Sequence, residues 1–130
     1  MTATSRALRI LVADDDPLQQ QVIRMTLRRL GHGGVVVPDG QQALRALQQH
    51  RFDVLLLDAS MPVLDGLATL AALRAAEAAG QPRTPVLMLT GHDTPEDEAR
   101  FRQAGADGYL NKPLDAQQLA RELARVTAGR

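Results

Sequence analysis

Asp53-Val54-Leu55-Leu56-Leu57-Asp58-Ala59-Ser60-Met61-Pro62-Val63-Leu64-Asp65-Gly66 decides the fold class. The apolar run Val54 to Leu57 stops abruptly at Asp58, and the breakers Pro62 and Gly66 follow within a few positions. A run of that length reads as a strand buried on both faces, the kind found in parallel sheets. In open α/β sheets the chemistry gathers outside the carboxyl ends of the strands, where Asp58 sits. A carboxylate near a sheet core is costly unless a cation meets it, so Asp58 is the candidate working residue and the rest of the chain must supply its partners.

Working outward, Leu8–Ala13 reads as a first buried strand, broken only by Arg9 and ended by Asp14, Asp15 and Asp16. Asp16-Pro17 is a cap followed by proline at the first helical position. Val22, Ile23, Met25, Leu27 and Leu30 supply apolar positions for a helix that Gly31 stops. Val35–Val37 is a short β-branched strand, Pro38-Asp39-Gly40 a turn, and Ala43, Leu44 and Leu47 one face of a helix ending near His50.

After the central strand, Leu67, Leu70, Ala71, Leu73 and Arg74 belong to an alanine-rich helix, and Gly80–Pro85 is a loop. Val86–Thr90 is a strand ending in a hydroxyl. Thr94-Pro95-Glu96-Asp97 opens a helix with a cap, a proline and first-turn acids, and Gly105 ends it. Gly108-Tyr109-Leu110 is a minimal last strand and Asn111-Lys112-Pro113 a turn. Asp115, with Gln118 three residues on, caps a final helix whose Leu119, Leu123 and Val126 face inward. Five strands alternating with five helices through short loops mean a doubly wound parallel sheet covered on both faces, in one domain.

Composition narrows the function. The chain has 130 residues, no cysteine, zero formal net charge, and only Phe52, Phe101 and Tyr109 as aromatics. That removes disulfides, thiolate metal sites and thiol nucleophiles, and argues against a base-stacking or strongly basic nucleic-acid surface. No apolar run approaches the roughly 18 residues of a membrane span, and the start does not resemble a signal peptide. The expectation is a small soluble protein of a reducing cytoplasm.

Asp14 and Asp15 follow the first strand, Asp58 the third, Thr90 ends the fourth, and Lys112 follows the fifth. Converging carboxylates repel, and a hard divalent cation relieves that repulsion; Mg²⁺, with carboxylates, waters and a phosphate oxygen, fits best. A carboxylate nucleophile, a metal, an ammonium and a hydroxyl suit phosphoryl transfer, with Asp58 attacking phosphorus. Thr90 moving toward the new acyl phosphate gives two states biased by one charge change.

Taken together, Ile10–Asp16, Leu55–Pro62, Asp65-Gly66, Val86–Gly91, Gly105–Leu110 and Lys112-Pro113 resemble the receiver domain of two-component response regulators, over about Leu8 to Val126. The resemblance implies a flavodoxin-like (βα)5 fold of the CheY type. It implies Asp58 as phosphoacceptor, Asp15 as direct Mg²⁺ ligand, Asp14 acting largely through bound water, and the Ser60 carbonyl as third protein ligand. It implies that Thr90 and Lys112 contact the phosphate, that Tyr109 swings inward when Thr90 moves, and that Lys112-Pro113 is cis. Such a domain is a signalling switch that catalyses its own phosphorylation and dephosphorylation.

The implied partner is a sensor histidine kinase, on the same polypeptide in a hybrid kinase or separate, or a histidine phosphotransfer protein. Leu18, Gln19, Gln20, Gln21 and Val22 are the expected contact zone. No output sequence follows the last helix, which leaves a free-standing regulator and a hybrid-kinase receiver both open, and Gly80–Pro85 resembles hybrid-kinase loops. Dimerisation through the last helices is also open, because Arg121, Glu122 and Arg125 read equally as a solvated face.

Plainer roles stand beside these. Asp16 reads as a cap rather than a ligand, Asp65 as a turn or cap residue, and Tyr109 as either a switch or a half-buried core aromatic. His92 is a loop residue that either shapes water access or is merely exposed. His32 and His50 read as surface residues, and Arg100 and Arg102 as a solvated face. A dinucleotide site needs a glycine-rich turn where Asp14-Asp15-Asp16-Pro17 stands. A haloacid-dehalogenase-type phosphatase expects an acid where Ser60 stands. A phosphorylation-independent binding module of the same fold is opposed by the intact Asp58, Thr90 and Lys112 set.

Overall fold

The computed structural model describes residues 7–61, 63–91 and 94–128. Strands and helices alternate: β1 (Arg9–Ala13), α1 (Pro17–Arg29), β2 (Gly33–Val37), α2 (Gly40–Gln49), β3 (Val54–Asp58), α3 (Gly66–Ala78), β4 (Val86–Thr90), α4 (Pro95–Gln103), β5 (Gly108–Asn111) and α5 (Ala116–Thr127). The strands form one parallel sheet in the order β2-β1-β3-β4-β5. After β2 the order reverses, so β1 and β3 flank the switch point at which ligands bind in such sheets.

Side-chain alternation in the central strands builds two cores. Ile10, Val12, Val54, Leu56, Leu87 and Leu89 face Ile23 and Leu27 of α1 and Leu119 and Leu123 of α5. Leu11, Ala13, Leu55, Leu57, Val86 and Met88 face Ala43 and Leu47 of α2 and Leu70 and Leu73 of α3, with Phe101 of α4 and Ala104 just after it packed alongside. Every residue of β3 is buried. Each such Leu or Ile side chain contributes roughly 1.5–3 kcal/mol through burial.

The helix starts follow the sequence closely. Asp16, Asp39, Asp65, Thr94 and Asp115 each accept a first-turn N–H. Thr94 and Asp97 form a reciprocal capping box, whereas Asp115 accepts from Gln117 and not through the expected Gln118 pairing. Pro38-Asp39-Gly40 is a helix entry as much as a turn, since Gly40 is the first residue of α2. At Gly66 a Cβ would lie 2.3 Å from the Asp58 carbonyl oxygen and 2.8 Å from Ala59 Cα, so only glycine lets α3 start against the end of β3.

Of the apolar positions in α1 only Ile23 and Leu27 are buried; Met25 is 56% exposed and Val22, in the expected contact zone, 39%, because the inward face follows an i, i+4 spacing that excludes both. Several local expectations are corrected. β2 begins at Gly33, before the β-branched run, because β1 pairs with it from Arg9 onward. Asn111 belongs to β5, paired with Thr90. His32 is half-buried, and its Nδ1 accepts the Leu8 N–H at 3.0 Å. Burial lowers its pKa below the usual 6.5, partly opposed by Asp53. Arg102 stacks on Tyr109, and Arg125 donates to the Asp107 carbonyl and pairs with Glu122, so neither is merely solvated. His92 lies outside the described residues.

Candidate functional site

Three strand ends bring the acids together. Asp14 follows β1 and is fully buried, Asp15 beside it is exposed, and Asp58 ends β3 at 3% exposure. One carboxylate oxygen from each lies within 4.8 Å of the others. Asp14 Oδ1 accepts the Asp16 N–H at 2.9 Å, while its Oδ2 is buried with no hydrogen-bond partner. Burial and the neighbouring Asp58 push Asp14 up to about 6, against the lowering effect of the Asp16 N–H. The Gln20 side-chain amide donates to the Asp14 backbone carbonyl and braces this turn from α1.

Asp58 has a built set of donors. Its Oδ1 accepts from Lys112 Nζ at 3.0 Å and from the Ser60 N–H at 3.1 Å. Lys112 reaches across from the end of β5, past a cis Lys112-Pro113 bond. Thr90, 3% exposed, ends β4 on the other side of β3, and its hydroxyl donates to Asn111 Oδ1 at 3.3 Å. Asp58, Ser60, Thr90, Lys112, Arg100 and Phe101 are among the lining of a cleft of about 520 Å³.

The chemistry of this donor set fits a hard divalent cation. Among the described residues three oxygen-bearing acids converge, without histidine or cysteine in the cluster, and one of them carries a buried oxygen with no hydrogen-bond partner. Lys112 already balances Asp58, so the residual excess of negative charge lies on the Asp14 and Asp15 side.

Asp14, Asp15, Asp58, Ser60, Thr90 and Lys112 therefore meet at one sheet edge. Tyr109 is set apart, half-buried on β5, with its hydroxyl donating to Glu98 on α4 at 2.5 Å. Sequence reasoning placed Gln20 in the partner contact zone without its brace on Asp14, read Asn111 only as a turn residue, and missed Glu98. For Asn111 the register of the last two strands was the available signal, since a residue paired with Thr90 has its side chain beside it. Glu98 left no such signal, because its contact depends on how α4 lies against β5.

A wholly parallel five-stranded sheet with an acid cluster, a lysine and a hydroxyl at its switch point defines an open α/β domain whose chemistry lies at the carboxyl ends of its strands. Residues 10–124 match the family described as response regulator receiver domain, and the chain belongs to that family. It is 37% identical over 125 residues to the sensor protein GacS of Pseudomonas syringae pv. syringae, covering 95% of this chain and 14% of that protein. It is also 37% identical over 122 residues to the sensory/regulatory protein RpfC of Xanthomonas campestris pv. campestris, covering 94% and 17% respectively. The chain thus spans a small part of the length of these relatives.

Among solved structures, the receiver domain of sensor histidine kinase PA1611 from Pseudomonas aeruginosa is 36% identical with a TM-score of 0.85, covering 95% of this chain and 100% of that one. That structure has a magnesium ion coordinated in its active site cleft. The Vibrio cholerae chemotaxis protein CheY4 is 34% identical with a TM-score of 0.83, covering 93% and 99%.

Proposed function

We propose that this chain is a single receiver domain, with its core at residues 8–126, that takes a phosphoryl group onto Asp58 from a kinase phosphohistidine. The observation that carries the reading is the buried Asp58 carboxylate held by Lys112 at 3.0 Å beside two further acids. An Asp58 oxygen attacks phosphorus, the O–P bond forms, the N–P bond of the donor breaks, and the imidazole leaves with its electron pair. Lys112 follows the incoming charge by shifting from the carboxylate to phosphoryl oxygens, and the Thr90 hydroxyl leaves Asn111 to donate to one of them. The Ser60 N–H holds the Asp58 carboxyl in place.

Asp15, Asp58 and the Ser60 carbonyl, with Asp14 acting through bound water, are the residues that would hold Mg²⁺. When bound, that ion neutralises the carboxylates and the equatorial oxygens of the phosphoryl group. The Mg²⁺ in the cleft of the PA1611 receiver domain supports this assignment. The converted site carries about one more negative charge than the free carboxylate, and Thr90 is the group that senses it.

The sensor proteins among the relatives support a kinase as phosphodonor, either within the same polypeptide or separate, or a histidine phosphotransfer protein as exchange partner. Leu18, 71% exposed, with Val22 one turn on, lies beside the site at the start of α1 and offers the apolar docking contact. No helix among the described residues is long and apolar enough to cross a membrane, which accords with a cytoplasmic setting.

Intact-mass spectrometry after incubation with Mg²⁺ and a small acyl phosphate tests the reading. One phosphate adduct that requires Mg²⁺ and vanishes in Asp58→Asn is the expected result. A folded wild type that forms no adduct refutes it in favour of a phosphorylation-independent binding module.

A further inference from the structure

β2 is one edge of the sheet, and it carries none of the usual devices that keep an edge from pairing. Its sequence Gly33-Gly34-Val35-Val36-Val37 has no charge and no proline, and its register with β1 runs unbroken from end to end, so no bulge turns it away. The opposite edge, β5, is guarded by charge. Arg125 Nη2 and Glu122 Oε1 lie 2.5 and 2.6 Å from where a Gly108 Cβ would stand, and the Arg102 guanidinium covers the Tyr109 ring.

The backbone of β2 fixes how a further strand can add. The Gly33 N–H donates to the Leu8 carbonyl and the Val37 carbonyl accepts the Asp14 N–H, so residues 33, 35 and 37 turn their polar groups toward β1. Strand alternation turns those of Gly34 and Val36 away from the sheet. Val35 is 47% exposed and shares a face with Val37, which packs against the α2 and α3 core.

We propose that a second copy of this chain pairs with β2, antiparallel, across a two-fold axis at Val35. In this register Gly34 of each copy faces Val36 of the other, and each such pair exchanges both of its backbone hydrogen bonds. Centring the axis on Val36 sets Gly34 against Pro38, which has no N–H. Centring it on Gly34 sets Val36 against His32, whose N–H the Leu27 carbonyl already accepts. At the Val35 axis the two valines form a non-hydrogen-bonded pair, the geometry that brings side chains closest, and each covers the other.

Charge favours the same direction. Asp39, just past the end of one β2, comes opposite Gly31 of the other copy, beside the exposed Arg28 and Arg29 that close α1. A parallel pairing sets like ends together instead. The antiparallel pair also points the carboxyl ends of the two sheets in opposite directions, so neither Asp58 cleft faces the other. The pairing is independent of the phosphoacceptor reading.

A contact of this size stands at the weak end of specific interfaces, so sedimentation equilibrium of the whole chain over roughly 0.01–1 mM protein reads it. The apparent mass of wild type should climb from 14.1 kDa toward twice that value, and less steeply in high salt. Val35→Lys sets like charges directly opposite on the axis and should weaken association by about tenfold or more, with an unchanged circular dichroism spectrum because Val35 is exposed. The chain has no cysteine, so Val35→Cys places one thiol per copy on the axis, where facing residues stand at a Cα separation of about 4.5 Å, within disulfide reach. Under mild oxidation it should cross-link about tenfold faster than Leu18→Cys, at a position 71% exposed on α1.

A wild type that keeps the mass of one chain across that range overturns the self-pairing and leaves this edge to a strand of another protein. A dimer that Val35→Lys does not weaken overturns the β2 interface. A Val35→Cys cross-link no faster than that of Leu18→Cys overturns the register.

Discussion

Two arginines pair with the Asp107 carboxylate, and their contrast makes a quantitative test of what holds the second half of the fold together. Arg74 of α3 is 18% exposed at its side chain, and it donates to the Gly105 carbonyl through Nε and Nη2 at 3.0 and 2.8 Å. It also donates to the Thr84 carbonyl at 2.9 Å, Glu77 at 2.6 Å and Asp107 at 3.1 Å. Its stem covers Gly105, which has φ +106 and ends α4. Arg83 is 54% exposed and makes a single pair with Asp107 at 2.8 Å.

Arg74→Met keeps the stem and removes the donors. Glu77 retains the Thr84 N–H, and Asp107 retains Val86 N–H and Arg83, so the carboxylates are not orphaned. The Gly105 and Thr84 carbonyls, both in part-buried contacts, lose their Arg74 donor at about 1–2 kcal/mol each. The expected loss is about 2–4 kcal/mol, a large share of the ~5–15 kcal/mol that holds such a domain. Urea unfolding followed by circular dichroism should show a midpoint lower by about 1–2 M at unchanged slope. Arg83→Met should cost no more than about 1 kcal/mol, as an exposed pair does. Equal midpoints for the two variants would refute the reasoning.

Other outcomes follow from the same geometry. Gly66→Ala should cost several kcal/mol and disturb Asp58, because the added Cβ meets backbone that cannot yield; a thermal midpoint within about 1 °C of wild type would contradict this. Asp14→Asn should stabilise the metal-free domain at neutral pH by about 1–3 kcal/mol, since it removes a buried charge that Asp58 opposes while keeping the Asp16 contact. The folded carboxyl holds its proton up to about 6 against 3.8 when unfolded, so that advantage should shrink as pH falls through this window; chelator-treated samples in a urea series decide it. His32 works in the opposite sense: its lowered pKa means that its contribution is complete above 6.5 and lost as pH falls through the folded value. Wild type should therefore lose stability on acidification relative to His32→Asn, which keeps an acceptor for Leu8 without titrating; parallel curves would exclude the role.

The candidate cluster was legible because each member is anchored to a sequence landmark. Asp58 closes an apolar run, Thr90 closes another, and Lys112 stands before Pro113, so periodicity and breakers place them at strand ends. Caps and stops were legible for the same reason: Asp16, Asp65, Thr94 and Asp115 act on N–H groups within three residues of themselves. What local pattern left open were the contacts made between elements. The apolar positions of α1 did not by themselves say which face inward, and packing left Met25 at the surface. His32, Arg102 and Arg125 looked like solvated side chains, and each found a partner distant in sequence or on a neighbouring segment.

The sequence by itself determined the alternation of strands and helices, the parallel sheet, and the set of acids, hydroxyl and ammonium that meet at its edge, because these are written in short-range periodicity and in polar residues at strand ends. Only the tertiary structure decided that Arg74 ties Gly105 to Thr84, that Asn111 holds the Thr90 hydroxyl, and that Glu98 holds Tyr109. Those pairings join residues on different elements, and the partner of an exposed or half-buried polar side chain depends on the angle and register at which two elements pack, which no local pattern encodes.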